Sequence, residues 1–83
     1  MTDRSLTLEI LSPEKRLYKG NVVLVQLPGT LGSFEILFNH APLISTIEKG
    51  TIKFIDTERN KLNFDVQGGV VEVKKNKIVI LVH

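Results

Sequence analysis

The sequence lacks cysteine altogether. Disulfides, thiolate metal sites and thiol nucleophiles are excluded with it, and the chain suits a reducing compartment. Histidine is scarce: His40 and His83 are the two present. They are neither paired at helical spacing nor clustered with acidic residues, so the sequence offers no metal site. Aromatic residues are few, one Tyr and four Phe. No apolar stretch approaches the ~20 residues that span a bilayer. The opening Met1-Thr2-Asp3-Arg4-Ser5 lacks the apolar core of a signal peptide. The chain is therefore expected in the cytosol or peripherally on the cytosolic side of a membrane. Charge of one sign does not dominate either. The net charge is +2 and the pI near 9.1, too mild an excess to imply nucleic acid by itself.

Catalytic equipment is equally thin. A Ser-His-Asp set could be drawn from Ser45, His40 and Asp56, but no nucleophile elbow or Gly-flanked Ser accompanies it. Glu9, Asp65 and Glu72 fall at alternating or turn-edge positions that suit a wet face. Gly29-Thr30-Leu31-Gly32 has the outline of a phosphate-gripping loop. Strand-like segments flank it and no Lys-Ser or Lys-Thr follows, so it reads as a loop that needs glycine at positive φ. No cofactor is implied.

What the chain does have is β-patterning. Its 83 residues are expected to form one domain, residues 1–83. Turn signals recur every ~10 residues, the spacing of an antiparallel sandwich or barrel. They are Ser12-Pro13-Glu14, Lys19-Gly20-Asn21, Pro28-Gly29, Asn39-His40-Ala41-Pro42, Lys49-Gly50, Glu58-Arg59-Asn60, Gly68-Gly69 and Lys75-Asn76-Lys77. Leu6, Leu8 and Ile10 alternate with Thr7 and Glu9; Leu62, Phe64 and Val66 alternate with Asn63, Asp65 and Gln67. Both runs put apolar side chains on one face. No segment carries a capped helical stripe, and a helical turn around Ala41–Ile44 is the most the pattern allows. The expected fold is all-β: a flattened antiparallel β-sandwich or barrel of two roughly five-stranded sheets.

Two runs break the alternation. Val22-Val23-Leu24-Val25 and Ile78-Val79-Ile80-Leu81-Val82 are apolar on both faces. A small antiparallel sheet normally keeps one face wet. Either a bulge in a closed barrel hides the second face, or a partner covers it. The shaped stretch from Leu27 to Leu43 points the same way, toward an interface rather than an active site.

Three blocks of residues carry a family likeness. The first is Leu8-Glu9-Ile10-Leu11-Ser12-Pro13-Glu14 with Leu17-Tyr18-Lys19-Gly20. The second is Leu27-Pro28-Gly29, Gly32 and His40-Ala41-Pro42-Leu43. The third is Gly68-Gly69-Val70-Val71-Glu72-Val73 with Asn76-Lys77-Ile78-Val79-Ile80-Leu81. In this order they resemble the epsilon-subunit family of the bacterial rotary (F-type) ATP synthase (delta in mitochondria), over its N-terminal β-sandwich domain. The family usually continues its Pro-Gly turn with Gly-Glu-Leu-Gly-Ile-Leu-Pro. Here Ser33 replaces an acidic residue, Glu35 a glycine and Phe38 a proline. The family's C-terminal helical hairpin, which supplies inhibitory arms, has no counterpart in these residues. A naturally short form and a piece of a longer chain both fit.

The resemblance implies a non-catalytic part of the central stalk. It would couple rotation of the gamma subunit to the ring of c subunits during proton-driven ATP synthesis, at the cytoplasmic face of the bacterial inner membrane. By position, Gly29, Thr30, Leu31, Gly32 and Ser33 would face the c-ring. Ser12, His40, Ala41, Pro42 and Leu43 would face gamma, with Val79 as part of that contact. The alternative is a small OB-like barrel binding single-stranded nucleic acid, which needs several exposed aromatics for base stacking. A biotinyl- or lipoyl-type carrier is a further rival, but the sole Met is Met1, so the Met-Lys-Met signature is missing.

Overall fold

Residues 4–83 are described by a computed structural model of the chain. Met1 to Asp3, included in the expected domain and in the signal-peptide argument, lie outside the described residues. Eight strands follow one another: β1 (Leu6–Leu11), β2 (Arg16–Gly29), β3 (Gly32–Leu37), β4 (Leu43–Ile47), β5 (Gly50–Asp56), β6 (Lys61–Val66), β7 (Gly69–Lys74) and β8 (Lys77–Val82). Among the described residues there is no helix. The helical turn allowed at Ala41–Ile44 is instead an open segment running into β4, because Leu43 and Ile44 pair with Val73 and Glu72.

The strands form one open, hydrogen-bonded sheet in the order β4-β7-β8-β1-β2-β5-β6, with β3 also on β2. The two expected sheets are thus two layers of a single sheet, joined through β2. Arg16–Val22 pairs with β1 on one edge, and Leu24–Gly29 pairs with β3 on that same edge. The opposite edge of Val22–Gln26 carries β5. One layer is therefore β4-β7-β8-β1 with the first half of β2; the other is β3, the second half of β2, β5 and β6. The smallest dimension of the molecule is 19 Å, thin enough for only two such layers ~10 Å apart.

A strand of fourteen residues can serve both layers because of one extra residue. Val22 pairs with Asp56 and Leu24 with Ile55, so Val23 is unpaired in a β-bulge. The inward set changes parity there. Val22 is buried, Leu24 turns outward, and Val25 and Leu27 are buried. Lys19-Gly20-Asn21, expected as a turn, lies inside this strand. Gly20 is there for a different reason: a Cβ on it would sit 2.6 Å from the Tyr18 hydroxyl. The ring folds over the glycine, a close approach that the missing Cβ makes room for.

The core lies between the layers. Leu6, Leu8, Ile10, Ile78 and Ile80 meet Val25, Leu27, Ile36, Ile52 and Phe54, all essentially without exposure. Tyr18 reaches across to Phe54, ring centroids 4.6 Å apart, and Phe54 stacks on Phe64 at 5.9 Å. Among the described residues no polar side chain is buried. Cohesion is therefore apolar burial plus the backbone ladder, with no interior ion pair to hold a site open.

Candidate functional site

A fold with no polar interior presents its chemistry on its surface. Three features stand out there: an outer sheet face, a hairpin tip and a clamped loop.

The outer face belongs to the layer β4-β7-β8-β1-β2. Register places Arg16, Leu11, Leu81, Val70 and Thr46 in one transverse row. The next row is Lys19, Glu9, Val79, Glu72 and Ile44. Strand β8 alternates strictly, with Ile78, Ile80 and Val82 buried and Val79 and Leu81 facing out. Leu81 is 53% exposed, Val70 38% and Ile44 74%. Strands stand ~4.8 Å apart, so Leu11, Leu81 and Val70 make a continuous apolar strip across ~10 Å. Val79 and Ile44 extend it in the second row. Its border is charged: Arg16 Nε donates to Glu9 Oε2 at 3.0 Å, and Lys19 and Glu72 flank it. An apolar centre with a charged rim is the composition of an interface.

The hairpin tip joins β2 to β3. Gly29 pairs with Gly32, leaving Thr30 and Leu31 as a two-residue turn. Gly32 takes φ 116, a conformation that favours glycine. Gly29 has another constraint, since a Cβ there would lie 2.8 Å from the Phe34 ring and from the Gly32 carbonyl. The glycines thus let the turn close tightly and thrust Leu31 fully into solvent. Gln26 Nε2 donates to Ser33 Oγ at 3.2 Å beside the tip. At its base, Glu48 N–H donates to the Pro28 carbonyl at 2.7 Å, tying the hairpin to the end of β4.

The third feature is the connection between β3 and β4. His40 N–H donates to the Leu37 carbonyl at 3.0 Å. His40 Nδ1 lies 2.7 Å from the Ala41 carbonyl, which can only accept, so Nδ1–H is the donor in this contact. Ala41 and Pro42 are exposed, whereas Leu43 turns inward and packs on the core.

The structure therefore divides the residues grouped by the sequence. Gly29 to Ser33 are together on one hairpin. Ser12 and the His40 loop are not together: Ser12 follows Leu11, beside Leu81 near the end of β8, while the His40 loop is tied to Asn76 before its start. Four strand residues separate them, or ~13 Å. Ser12 also has a local task, accepting the Lys15 N–H on Oγ and donating from Oγ to the Lys15 carbonyl, both at 3.2 Å. Val79 lies between these ends on the outer face. Leu11, Ile44 and Val70 went unnoticed in the sequence as surface residues. The signal for Leu81 was present in the two-faced run of β8; that for Ile44 and Val70 needed strand register.

Base stacking has no platform. Phe54 is buried, and Tyr18, Phe34 and Phe64 pack against the core, which leaves Phe38, half-buried after β3, as a single ring where several are needed. The OB-like alternative loses its main requirement. Among the described residues Asp56 is the carboxylate whose titration is displaced. Hydrogen bonds from Asn60, side chain first and then backbone, hold it below its ordinary value. It closes the β5–β6 turn, accepting from Glu58 N–H at 2.9 Å and Asn60 N–H at 2.8 Å. That is a structural duty on an open surface.

The family model described as "ATP synthase, Delta/Epsilon chain, beta-sandwich domain" matches residues 5–83. The chain belongs to that family. The ATP synthase epsilon chain of Leptospira borgpetersenii is 44% identical over 98% of this chain, and that of Chlorobaculum tepidum 34% over 96%. The chain spans 63% of the Leptospira relative but 91% of the Chlorobaculum one. In the solved structures the fold recurs with a TM-score of 0.91 and 13% identity in the Euglena gracilis mitochondrial ATP synthase OSCP/F1/c-ring assembly. This chain covers 52% of that neighbour and is itself 99% covered. A second neighbour, from the Tetrahymena thermophila mitochondrial ATP synthase central stalk and c-ring, has a TM-score of 0.77 at 18% identity and is covered over 66% of its length. Those two share the fold.

Proposed function

We propose that this chain is a coupling piece of an ATP synthase central stalk and performs no bond chemistry. Its outer sheet face would grip the gamma subunit, and the Thr30–Leu31 tip would rest on the c-ring. The complex would hold it at the cytoplasmic face of the membrane. The observation that carries the reading is the uncovered strip Leu11–Leu81–Val70 with Val79 and Ile44, on a family fold with no buried polar side chain among the described residues.

The physics favours this use. A continuous sheet resists shear through its backbone ladder, and its surfaces can hold separate partners. One charge crossing 100 mV releases roughly 2.3 kcal/mol, so a stalk driven by several needs firm seats. Full burial of an exposed Val or Leu is worth about 1.5–3 kcal/mol, and covering these half-buried ones adds roughly half of that each, which still makes the strip part of such a seat. Its area falls short of the roughly 800 Å² per partner of a standard interface, so the rim and the His40 loop would complete it. Ser12 fits the edge of this surface, and Pro42 borders it beside Ile44 and Glu72.

The test is association with purified gamma subunit in the absence of nucleotide. One-to-one binding is expected for the native chain. Val79→Asp should fold and lose that binding. A folded Val79→Asp that still binds gamma would remove this face from the contact. Failure of the native chain to bind would end the stalk reading.

A further inference from the structure

Two asparagines far apart in sequence are bonded to each other. Asn39 sits in the β3–β4 loop just before His40, and Asn76 is at the tip of the β7–β8 hairpin. Asn39 N–H donates to Asn76 Oδ1 at 2.6 Å, and Asn76 Nδ2 donates to Asn39 Oδ1 at 3.2 Å. The Asn76 carbonyl also accepts the Thr7 N–H at 3.0 Å, which fixes the tip against the start of β1.

The turn by itself does not call for this carboxamide. Lys75 and Asn76 have φ of 51° and 61°, and Lys74 pairs with Lys77, so the tip is a two-residue type I′ turn. Glycine satisfies its backbone as well as asparagine does. Asn39 likewise has φ 65, reachable by glycine. The side chains are therefore surplus to the turns and serve the link between them. That link reaches the exposed loop which, on the proposed reading, meets the gamma subunit. An unheld loop must be ordered when the partner arrives, and that cost comes out of the affinity.

We infer that Asn76 is a positioning residue for the partner-binding loop: its carboxamide holds Asn39 so that His40, Ala41 and Pro42 are presented already ordered. The inference rests on the proposed contact between this loop and gamma. Asn76 touches no partner in this account; it acts through Asn39.

The experiment uses the full chain in three forms, native, Asn76→Gly and Asn76→Asp, with melting temperature, amide hydrogen exchange and affinity for purified gamma as readouts. Asn76→Gly keeps the turn and should change the melting temperature little. It should speed exchange of the Asn39 amide and weaken gamma binding, each by about tenfold or more, the scale of the two hydrogen bonds lost with the carboxamide. Asn76→Asp retains the acceptor at Oδ1 and should recover most of both effects. A glycine variant with native exchange and native affinity would overturn the inference. So would an aspartate variant as impaired as the glycine one at an unchanged melting temperature. If the native chain does not bind gamma, the stalk reading fails, and the exchange arm still decides whether Asn76 orders the loop.

Discussion

Val22–Val25 in β2 and Ile78–Val82 in β8 have the same apolar look and opposite geometry. In β2 the run changes parity: Val23 is an extra residue, so Val22 and Val25 both point inward although they are three apart. In β8 the parity never changes, and Val79 and Leu81 are left outside. The first run is apolar because one strand crosses between two layers. The second is apolar on its outer side with no counterpart inside the chain. A two-faced apolar run is thus not one signal but two. The first still leaves Val23 40% exposed at the bulge, while the second lines up Val79 and Leu81 with the outer strip.

Deletions separate the two cases most sharply. Removing Val23 leaves Val22, Leu24, Val25, Gln26 and Leu27 alternating without a bulge, with every inward residue still inward. That variant should fold, less stably than the parent because the bend is lost. Removing Val79 puts Ile78 and Ile80 next to each other, so one must leave the core. That variant should not fold. Circular dichroism and a urea melt decide it; equal outcomes for the two deletions would cancel the distinction.

The next effect tests how β8 is seated. A Cβ on Gly69 would run into the Leu81 carbonyl on the neighbouring strand. Gly69 pairs with both Ile47 and Val82, so neither side can yield freely. Gly69→Val should cost about 3 kcal/mol or more, at the upper end for overpacking. An unchanged melting temperature would show that β8 is not held as tightly as its register indicates.

Adjacent residues of β8 give a smaller but cleaner contrast. Ile80→Ala empties a fully buried position and should cost about 2–5 kcal/mol. Leu81→Ser alters a half-exposed one and should shift stability by no more than about 0.5 kcal/mol. The partner readout should invert this order: Leu81→Ser loses gamma affinity, while folded Ile80→Ala keeps it. Loss of stability at Leu81 comparable with that at Ile80 would mean that the chain, and not a partner, covers this face.

These contrasts show what could be seen from the chain alone. Leu6, Leu8 and Ile10 announced their strand because each side of it sees one environment. Lys75-Asn76 announced a hairpin because the backbone angles it needs are local, whereas Pro28-Gly29 marked the next hairpin only by proximity, since both are the last residues of β2 and the turn is Thr30-Leu31. Gly20 misled for the same reason: its space is taken by the ring of Tyr18, yet a glycine in a polar setting looks like a turn. The identity of the unpaired residue among Val22, Val23 and Leu24 depended on the partner strand. Ile44 and Val70 became neighbours of the outer strip only through pairing across three strands, and the Asn39–Asn76 link joins segments that no local pattern connects. Ser12 and His40 share a family block structure but lie at opposite ends of β8, so the order of motifs along the chain said nothing of their distance.

The smallest effect concerns the far side of the β2 bulge. Asp56 pairs with Val22 there, and Thr57 N–H donates to the Asn21 carbonyl at 3.3 Å, so the β5–β6 turn braces the place where parity changes. The Asp56 carboxylate accepts from Asn60 Nδ2 at 3.0 Å as well as from two backbone amides, and these bonds lower its pKa in the folded state. The unfolded chain has the ordinary value, near 3.9. Since the folded value is the lower one, the stabilisation is present above about pH 4 and is lost as the pH falls through the folded value. Asp56→Asn removes the charge that these donors favour. It should be less stable than the parent at about neutral pH, with the difference closing as the pH drops below about 4. Urea melts of both proteins across that range measure it. A difference that stays constant with pH would mean that the turn braces the bulge by shape alone, and that the carboxylate charge is incidental to it.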